Sequence, residues 1–295
     1  MRPFPLIRQH VSARRLHPAW LIPVLVLLMF PACNPYVDEG VRKNDLNRDV
    51  ELVTDFGTVV FRLSDETPLH RNNFIRLVKQ GFYDGLLFHR VINDFLLQTG
   101  DPDSRTSAPG DVVGATDLPY TIPPEFTPNL FHKRGAINAA RSDNPERASS
   151  STQFTIIQGR LYNDSTLAVA EGRINGWLQD NRMVNNPQYQ ELVTLLRQLE
   201  EEMPGSDSLA NVQERKEALT TRLRQDTPRY TIPADHRETY KTIGGAAHLD
   251  QNYTVFGEVI SGMEVVDRIA AVPTDGRDRP LEDVRIITAR LVSRR

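Results

Sequence analysis

The amino-acid sequence predicts a mainly β fold with some helix: a closed or nearly closed antiparallel barrel, covered by two helices and interrupted by a helical insertion. Three observations support this prediction. Short apolar stretches of strand character recur along the chain, only two amphipathic helices accompany them, and one later segment has a different, helical periodicity. The composition is that of a soluble globular protein, since 39% of the 295 residues are hydrophobic and 25% are charged.

The N-terminal residues 1–32 are predicted to form a secretory signal. Four arginines precede the apolar run "WLIPVLVLLMFPAC", which is shorter than the roughly 20 apolar residues of a membrane-spanning helix. The only cysteine, Cys33, lies at its end, and its position resembles the cleavage site of bacterial lipoproteins, whose cysteine becomes lipidated. A free surface cysteine is the alternative. Residues 33–48 are polar and are interpreted as a tether, so the expected location is the cell envelope, lipid-anchored at the outer membrane on its periplasmic side.

The charge of the chain argues against nucleic acid as a partner. The sequence has 35 basic and 38 acidic residues, and residues 1–33 hold four of the basic ones and no acidic one, so the remainder has a net charge of −7. A single cysteine excludes a disulfide within the chain. The seven histidines lack the spacing of a metal site, and neither a metal nor another cofactor is expected.

The first folded elements are a β-hairpin and a helix. In "VELVTDFGTVVFRL", apolar residues alternate from Val59 to Leu63 after a "DFG" turn, which indicates a hairpin with one buried face. The next stretch, "TPLHRNNFIRLVKQG", places Thr67 at the N-cap and Pro68 at the first helical position, and Gly81 can end the helix.

Later stretches supply the rest of the barrel. Strands are predicted at "LLFHRV", "FLLQTG", "GAINAA", "QFTIIQ", "YTVFGEVI" and the C-terminal "VRIITARLV". A second helix is predicted from Met263 to Ala270. The barrel is therefore assigned to residues 49–160 and 243–295.

The segment between these two parts, residues 161–242, is predicted to be an inserted helical hairpin. Apolar side chains recur at helical spacing from Tyr189 to Met203 and again from Leu209 to Leu223, with "MPGSD" between the two stripes. The stripes are interpreted as packing surfaces, helix on helix or helix on barrel. A surface that binds a protein partner is the alternative.

The stretch "FHRVINDFLLQTGDP" contains a lone arginine, Arg90, in a run that otherwise indicates a buried strand. A buried guanidinium is costly unless it is paired, so Arg90 has a structural partner or faces a site. The stretch resembles the signature of the cyclophilins. Two further stretches, "GAINAARSDNPERASSSTQFTIIQ" and "HLDQNYTVFGEVISGMEVVDRI", resemble the second and third conserved blocks of that family, in the same order.

Cyclophilins are eight-stranded barrels that catalyse cis/trans isomerisation of the peptide bond before proline. The resemblance therefore implies this fold, this activity, and proline-containing segments of unfolded or extended polypeptides as substrates. It implies that Arg90 donates a hydrogen bond to the twisted amide, a role that suits the permanent charge and rigid donors of arginine, and that Gln98 orients Arg90. The substrate-binding residues that the resemblance implies are Phe95, Leu96, Ala139, Arg141, Gln153, Phe154, Thr155, His248, Leu249 and Tyr253.

Four of these positions depart from the family pattern: His248 replaces a tryptophan, Tyr253 replaces a histidine, and the other two departures affect the proline pocket. Thr155 lies where well-studied members have a second pocket phenylalanine, and Ala139 lies where methionine is common. These last two departures predict a wider and more polar proline pocket. The alternative function is therefore a weakly active or inactive peptide-binding or chaperone module, with the helical insertion as its contact arm.

Overall fold

The computed structural model describes residues 40–294; the predicted signal and Cys33 lie outside them. The strands are β1 Arg48–Thr54, β2 Gly57–Leu63, β3 Arg90–Ile92, β4 Leu96–Thr99, β5 Thr121–Ile122, β6 Ala136–Ala139, β7 Ser149–Ser150, β8 Phe154–Ile157, β9 Val255–Ser261 and β10 Ile286–Ser293. The helices are α1 Pro68–Lys79, α2 Asp164–Val184, α3 Pro187–Glu202, α4 Asp207–Asp226, α5 Ala234–Thr242 and α6 Met263–Ala270. None of these helices has the length and apolar character that a membrane crossing requires.

Eight of the strands form one antiparallel sheet in the order β10-β1-β2-β9-β6-β8-β4-β3. The two ends of the sheet meet just before β3, where Leu87 forms a bridge with Arg285 and the Phe88 N–H donates to the Val284 carbonyl at 2.9 Å. The sheet therefore curves into an eight-stranded barrel, which confirms the predicted fold class.

The barrel interior is built around aromatic rings. Phe74 from α1 lies 4.7 Å from Tyr83, 5.1 Å from Phe154 and 5.6 Å from Phe61, measured between ring centroids. Helix α6 adds Val265, Val266 and Ile269 to the same core. The two predicted helices thus cover the core as expected.

Helix α1 begins at Pro68, as the sequence predicts, but its N-terminus is capped by a residue that is distant in sequence. Thr67 occupies the N-cap position, yet within the described chain its side chain makes no capping hydrogen bond. The backbone N–H groups of Leu69 and His70 instead donate to the carboxylate of Glu125, at 3.1 and 3.0 Å. A carboxylate at this position also complements the positive end of the helix dipole.

The predicted tether is shorter than its assigned range. Residues 43–47 form a 3₁₀ helix directly before β1, and Val41 and Leu46 pack against the barrel core. The Lys79 ammonium donates to the Gly40 carbonyl and to the Asp45 carboxylate, at 2.6 Å each. The sequence analysis missed the packing of Val41 and Leu46, because the residues around them are mostly polar.

The insertion contains the predicted hairpin and two further helices. The hairpin is α3 and α4, whose apolar stripes pack on each other with Met183, so the packing interpretation of the stripes is confirmed. Met203, at the end of α3, is the exception and is 46% exposed. The flanking helices α2 and α5 were not predicted, because each buries only a few apolar residues.

The flanking helices belong to the barrel side of the insertion. Leu167 of α2 and Tyr240 of α5 share an apolar cluster with Ala247, which precedes β9. The Tyr240 hydroxyl donates to the buried Asp250 carboxylate at 2.8 Å. The cores of the hairpin and of this cluster are separate, so the hairpin is an outer part of the insertion, to whose core α2 contributes Met183.

Removal of the hairpin alone is therefore expected to leave the rest of the protein folded. In a variant lacking residues 186–227, a short Gly-Ser linker joins Asn185 to Pro228, and Met183→Gln removes the apolar residue that would become exposed. We expect the thermal midpoint to shift by no more than about 4 °C, corresponding to ~1 kcal/mol. Calorimetry measures this midpoint.

The comparison variant lacks the whole of residues 161–242. It loses the packing of Leu167 and Tyr240 on the barrel and leaves Ala247 and part-buried Phe131 uncovered. We expect its midpoint to fall much further, or the protein to aggregate. Failure of the hairpin deletion to fold, or equal midpoints for the two deletions, would contradict the division of the insertion into two parts.

Candidate active site

The sheet register brings the two predicted catalytic residues side by side. Arg90 on β3 pairs with Gln98 on β4, Gln98 pairs with Thr155 on β8, and Thr155 pairs with Asn138 on β6. Directly opposed residues share one face of a sheet. The next row, consisting of Val91, Leu97, Ile156 and Ile137, lies in the barrel core. The row that begins with Arg90 therefore faces outward.

Arg90 is accessible and has one charged partner. Its side chain is 40% exposed, and its Nε lies 3.3 Å from Asp278 Oδ2. Asp278 also accepts a backbone hydrogen bond from Val91 at 2.8 Å. In residues 40–294 no hydrogen bond of the Arg90 Nη groups is found, so these donors face no competing partner. Because Arg90 is partly exposed and paired with Asp278, its guanidinium avoids the desolvation cost of an unpaired arginine buried in an apolar strand.

Gln98 contacts a second glutamine. Its Nε2 donates to Gln153 Oε1 at 2.9 Å, and Gln153 Nε2 donates to the carbonyls of Gly114 and Thr116 at 3.1 and 3.0 Å. Because Gln153 Nε2 donates to these two carbonyls, the orientation of its amide is fixed, and its Oε1 faces Gln98 as the acceptor. In the described chain Gln98 makes no hydrogen bond to Arg90, which Asp278 contacts instead.

Most of the predicted pocket residues meet beside this row. Phe95, Leu96, Leu249 and Tyr253 belong to one apolar cluster on the outside of the barrel. The ring of His248 lies against Phe95, with centroids 5.2 Å apart. Phe95 and Tyr253 are partly exposed members of this cluster, whereas Leu96 and Leu249 are buried.

Phe154 and Ala139 are corrections, because both face the barrel interior. They pair with each other across β8 and β6 and belong to the main core cluster. Side chains alternate between the two faces of a strand, so Phe154 must point away from its neighbours Gln153 and Thr155. The resemblance placed Gln153, Phe154 and Thr155 on one substrate-binding surface. Consecutive residues of a strand cannot all face the same side of the sheet.

Thr155 does not make the site as polar as the sequence suggests. It is buried, and its hydroxyl donates to Asn138 Oδ1 at 2.5 Å. The hydroxyl is therefore satisfied within the sheet. Compared with a pocket phenylalanine, Thr155 lacks the bulk and the ring of an aromatic side chain.

Arg141 lies beside Tyr253 and is held there. Its guanidinium is 5.3 Å from the centre of the Tyr253 ring. Its Nε and Nη2 donate to the carbonyl and side-chain oxygens of Asn252 at 3.1 and 2.9 Å. These contacts fix Arg141 at the edge of the apolar cluster.

Two histidines near the site are neutral at physiological pH. Burial, followed by the charge of Arg173, lowers the pKa of His248 to about 4. Burial also lowers the pKa of His89 to about 4, against the opposing effect of Asp101. Neither ring can therefore replace Arg90 as a permanently charged donor.

The sequence prediction missed three residues of the site. Asp278 pairs with Arg90, Asn138 accepts from Thr155, and Trp177 from helix α2 packs against the apolar cluster. The alternation of β6 and β8 could have identified Asn138, since it lies opposite Thr155. No sequence spacing connects Asp278 or Trp177 to the signature, because both come from distant parts of the chain.

Known proteins resemble this chain in sequence over most of its length. A Staphylococcus aureus (strain USA300) protein named as a peptidyl-prolyl cis-trans isomerase is 27% identical over 259 residues, covering 87% of this chain and 95% of that protein. A Streptococcus pyogenes (serotype M6) protein named as a bifunctional phosphatase/peptidyl-prolyl cis-trans isomerase is 26% identical over 249 residues. The match covers 83% of this chain but only 39% of the streptococcal protein.

This chain is also similar to a solved structure and to a family model. The crystal structure of a Cryptosporidium parvum cyclophilin type peptidyl-prolyl cis-trans isomerase aligns with a TM-score of 0.48 and 16% identity, over 84% of this chain and 99% of that one. The family model described as cyclophilin type peptidyl-prolyl cis-trans isomerase/CLD matches residues 49–180 and 237–291. These two ranges include the whole row from Arg90 to Thr155 and make up more than half of the sequence. The chain therefore belongs to the family of cyclophilin-type peptidyl-prolyl cis-trans isomerases.

Proposed function

We propose that Arg90 is the catalytic residue of this isomerase and acts by hydrogen bonding to the twisted X–Pro amide. Resonance in the planar amide sets a rotation barrier of about 18–20 kcal/mol. Rotation breaks no bond to a heavy atom, so the reaction requires neither a nucleophile nor a base. In the twisted state the amide nitrogen regains its lone pair and becomes an acceptor. A fixed donor that binds this state better than the planar one lowers the barrier.

The position of Arg90 suits such a donor. Arginine keeps its charge near neutral pH and presents several N–H groups in one plane. Asp278 holds the Nε side at 3.3 Å, and the described residues occupy neither Nη group. The donor is thus restrained on one side and available on the other.

The surrounding residues are proposed to bind the rest of the peptide. The apolar cluster of Phe95, Leu96 and Leu249 is proposed to receive the proline ring, with Phe95 as its partly exposed member. Gln98, whose side chain donates to Gln153 and which pairs with Arg90 in the sheet, is proposed to hydrogen-bond the substrate backbone. The observation that carries the proposal is the register pairing of Arg90 with Gln98, together with this apolar cluster.

The test of catalytic competence is a proline tetrapeptide assay of the wild-type protein. We expect clear acceleration over the spontaneous isomerisation, which takes tens to hundreds of seconds at 25 °C. A wild-type protein that leaves the spontaneous rate unchanged would contradict the catalytic proposal and favour a peptide-binding module. The Thr155 hydroxyl, satisfied by Asn138, is no obstacle to activity.

We further propose that the enzyme acts outside the cytoplasm, on exported polypeptides, while anchored through Cys33. The support is the sequence: an apolar segment behind four arginines, followed by the only cysteine and a polar stretch. Substrates would then be proline-containing segments of proteins that are still unfolded or extended in the cell envelope.

Replacement of Cys33 by serine is expected to release the protein from membranes, because serine offers no thiol for lipid attachment. Fractionation of cells into membrane and soluble parts measures the change. Ala32→Gly is the matched control, since it keeps a small residue before the cysteine and should leave the protein in the membrane fraction. Unchanged fractionation of Cys33→Ser would contradict the anchor.

A further inference from the structure

A cavity of about 540 Å³ lies beside the candidate active site, between the barrel and helix α2. The barrel side consists of the loop from Arg141 to Arg147, together with Asn252 and Tyr253. The other side consists of residues of α2, namely Trp177, Asp180, Asn181 and Val184. Its volume falls in the range of about 300–1,000 Å³ that is typical of ligand pockets. One wall is therefore contributed by the insertion.

The cavity is continuous with the proposed peptide site. Tyr253 lines the cavity and also belongs to the apolar cluster that includes Leu96 and Leu249. Trp177 likewise lines the cavity and packs against the same cluster. A polypeptide whose proline lies on this cluster would reach the cavity with a neighbouring side chain.

The wall that α2 provides is fixed in place. The Nδ2 groups of Asn181 and Asn185 both donate to the carbonyl of Pro145, at 2.7 and 2.9 Å. Pro145 lies in the loop that forms the opposite wall. The two walls are thus hydrogen-bonded to each other, and the cavity is a preformed feature of the fold.

The cavity surface combines two aromatic rings with polar and charged side chains. Trp177 and Tyr253 provide aromatic rings, and Val184 is 40% exposed. The two guanidinium groups have internal partners, Arg141 at Asn252 and Arg147 at the Gln251 carbonyl. Two aspartates in the lining, Asp143 and Asp180, balance the two arginines in formal charge.

An aromatic side chain of a substrate matches the two rings in this lining, because aromatic rings pack favourably against one another. We infer that the cavity is a subsite for an aromatic side chain of the substrate close to the proline, and that Trp177 determines this preference. The inference rests on the proposed function, since it requires the proline to lie beside Arg90.

The test compares two kinds of hexapeptide with the same X–Pro bond. One has alanine at every flanking position, and the others have a single tryptophan at each flanking position in turn. The quantity measured is the ratio of kcat/KM for the best tryptophan peptide to kcat/KM for the alanine peptide. We expect a ratio of about ten or more for wild type and a ratio near one for Trp177→Ala.

Two further variants complete the design. Val169→Ala changes a residue of α2 that is 71% exposed and does not line the cavity, and it should keep the wild-type ratio. Val184→Arg introduces a long side chain at a position that lines the cavity and should also lower the ratio to near one. Because Val184 is already partly exposed, this variant tests the inference even if Trp177→Ala does not fold.

The outcomes separate the subsite from the isomerase proposal. Absence of acceleration for every peptide would contradict the proposed function itself. Acceleration with a wild-type ratio near one would overturn the subsite alone, and so would a high ratio that survives both Trp177→Ala and Val184→Arg. A high ratio that both variants abolish and Val169→Ala preserves would support it.

Discussion

Replacement of Arg90 by alanine is expected to lower kcat/KM for a proline tetrapeptide by at least about tenfold, equivalent to ~1.4 kcal/mol of transition-state stabilisation. The reason is the loss of the donor proposed to bind the twisted amide. The fold should remain intact, because the side chain is 40% exposed and its contact with Asp278 is a partly exposed ion pair. Such pairs contribute about 0–1 kcal/mol. A coupled isomerisation assay and an unfolding curve measure the two effects.

Arg290→Ala is a matched control for this substitution. Arg290 lies on strand β10, is 63% exposed and pairs with Glu51, so like Arg90 it is an accessible strand arginine with a carboxylate partner. We expect it to keep wild-type activity. An active wild type together with an equally active Arg90→Ala would exclude Arg90 as the catalytic donor.

Replacement of Phe154 by alanine is expected to lower the free energy of unfolding by about 3–5 kcal/mol. The ring lies in the barrel core, with its centroid 5.1 Å from that of Phe74 and 5.4 Å from that of Tyr83, and alanine would leave a cavity there. Chemical denaturation with a fluorescence or circular dichroism readout measures the change.

Phe95→Ala is the control, because it removes a phenylalanine from the predicted substrate pocket and not from the barrel core. Phe95 is partly exposed on the outer face beside His248, so its loss should cost less stability and mainly reduce activity. If Phe154→Ala changed stability by less than about 1 kcal/mol and reduced activity instead, Phe154 would be a pocket residue and the inward assignment would be wrong.

The sequence was sufficient to predict the barrel and the pairing of its two central polar residues. Alternating strands, the "DFG" turn and Pro68 are local signals, and the structure has the hairpin and helix α1 where these signals lie. The cyclophilin signature contains both Arg90 and Gln98 within nine residues, so a single antiparallel turn brings them together.

The errors came from interactions that local patterns do not encode. Phe154 and Ala139 matched the family motif, but the alternation of strand faces directs both into the core. Trp177 is distant in sequence from the signature and reaches the apolar cluster only because α2 packs back onto the barrel. Helix α2 itself buries few apolar residues, so its periodicity is weak.

The two ends of the insertion meet at one point of the barrel. Arg160 and Gly245 exchange backbone hydrogen bonds of 3.1 and 3.0 Å, and a side chain at Gly159 would collide with Gly245. The insertion therefore begins and ends at one hydrogen-bonded residue pair. Its length is not set by the barrel, because its two ends already lie next to each other. For protein engineering, a segment exchanged at this junction would have to cover Ala247 and Phe131, as α2 and α5 now do.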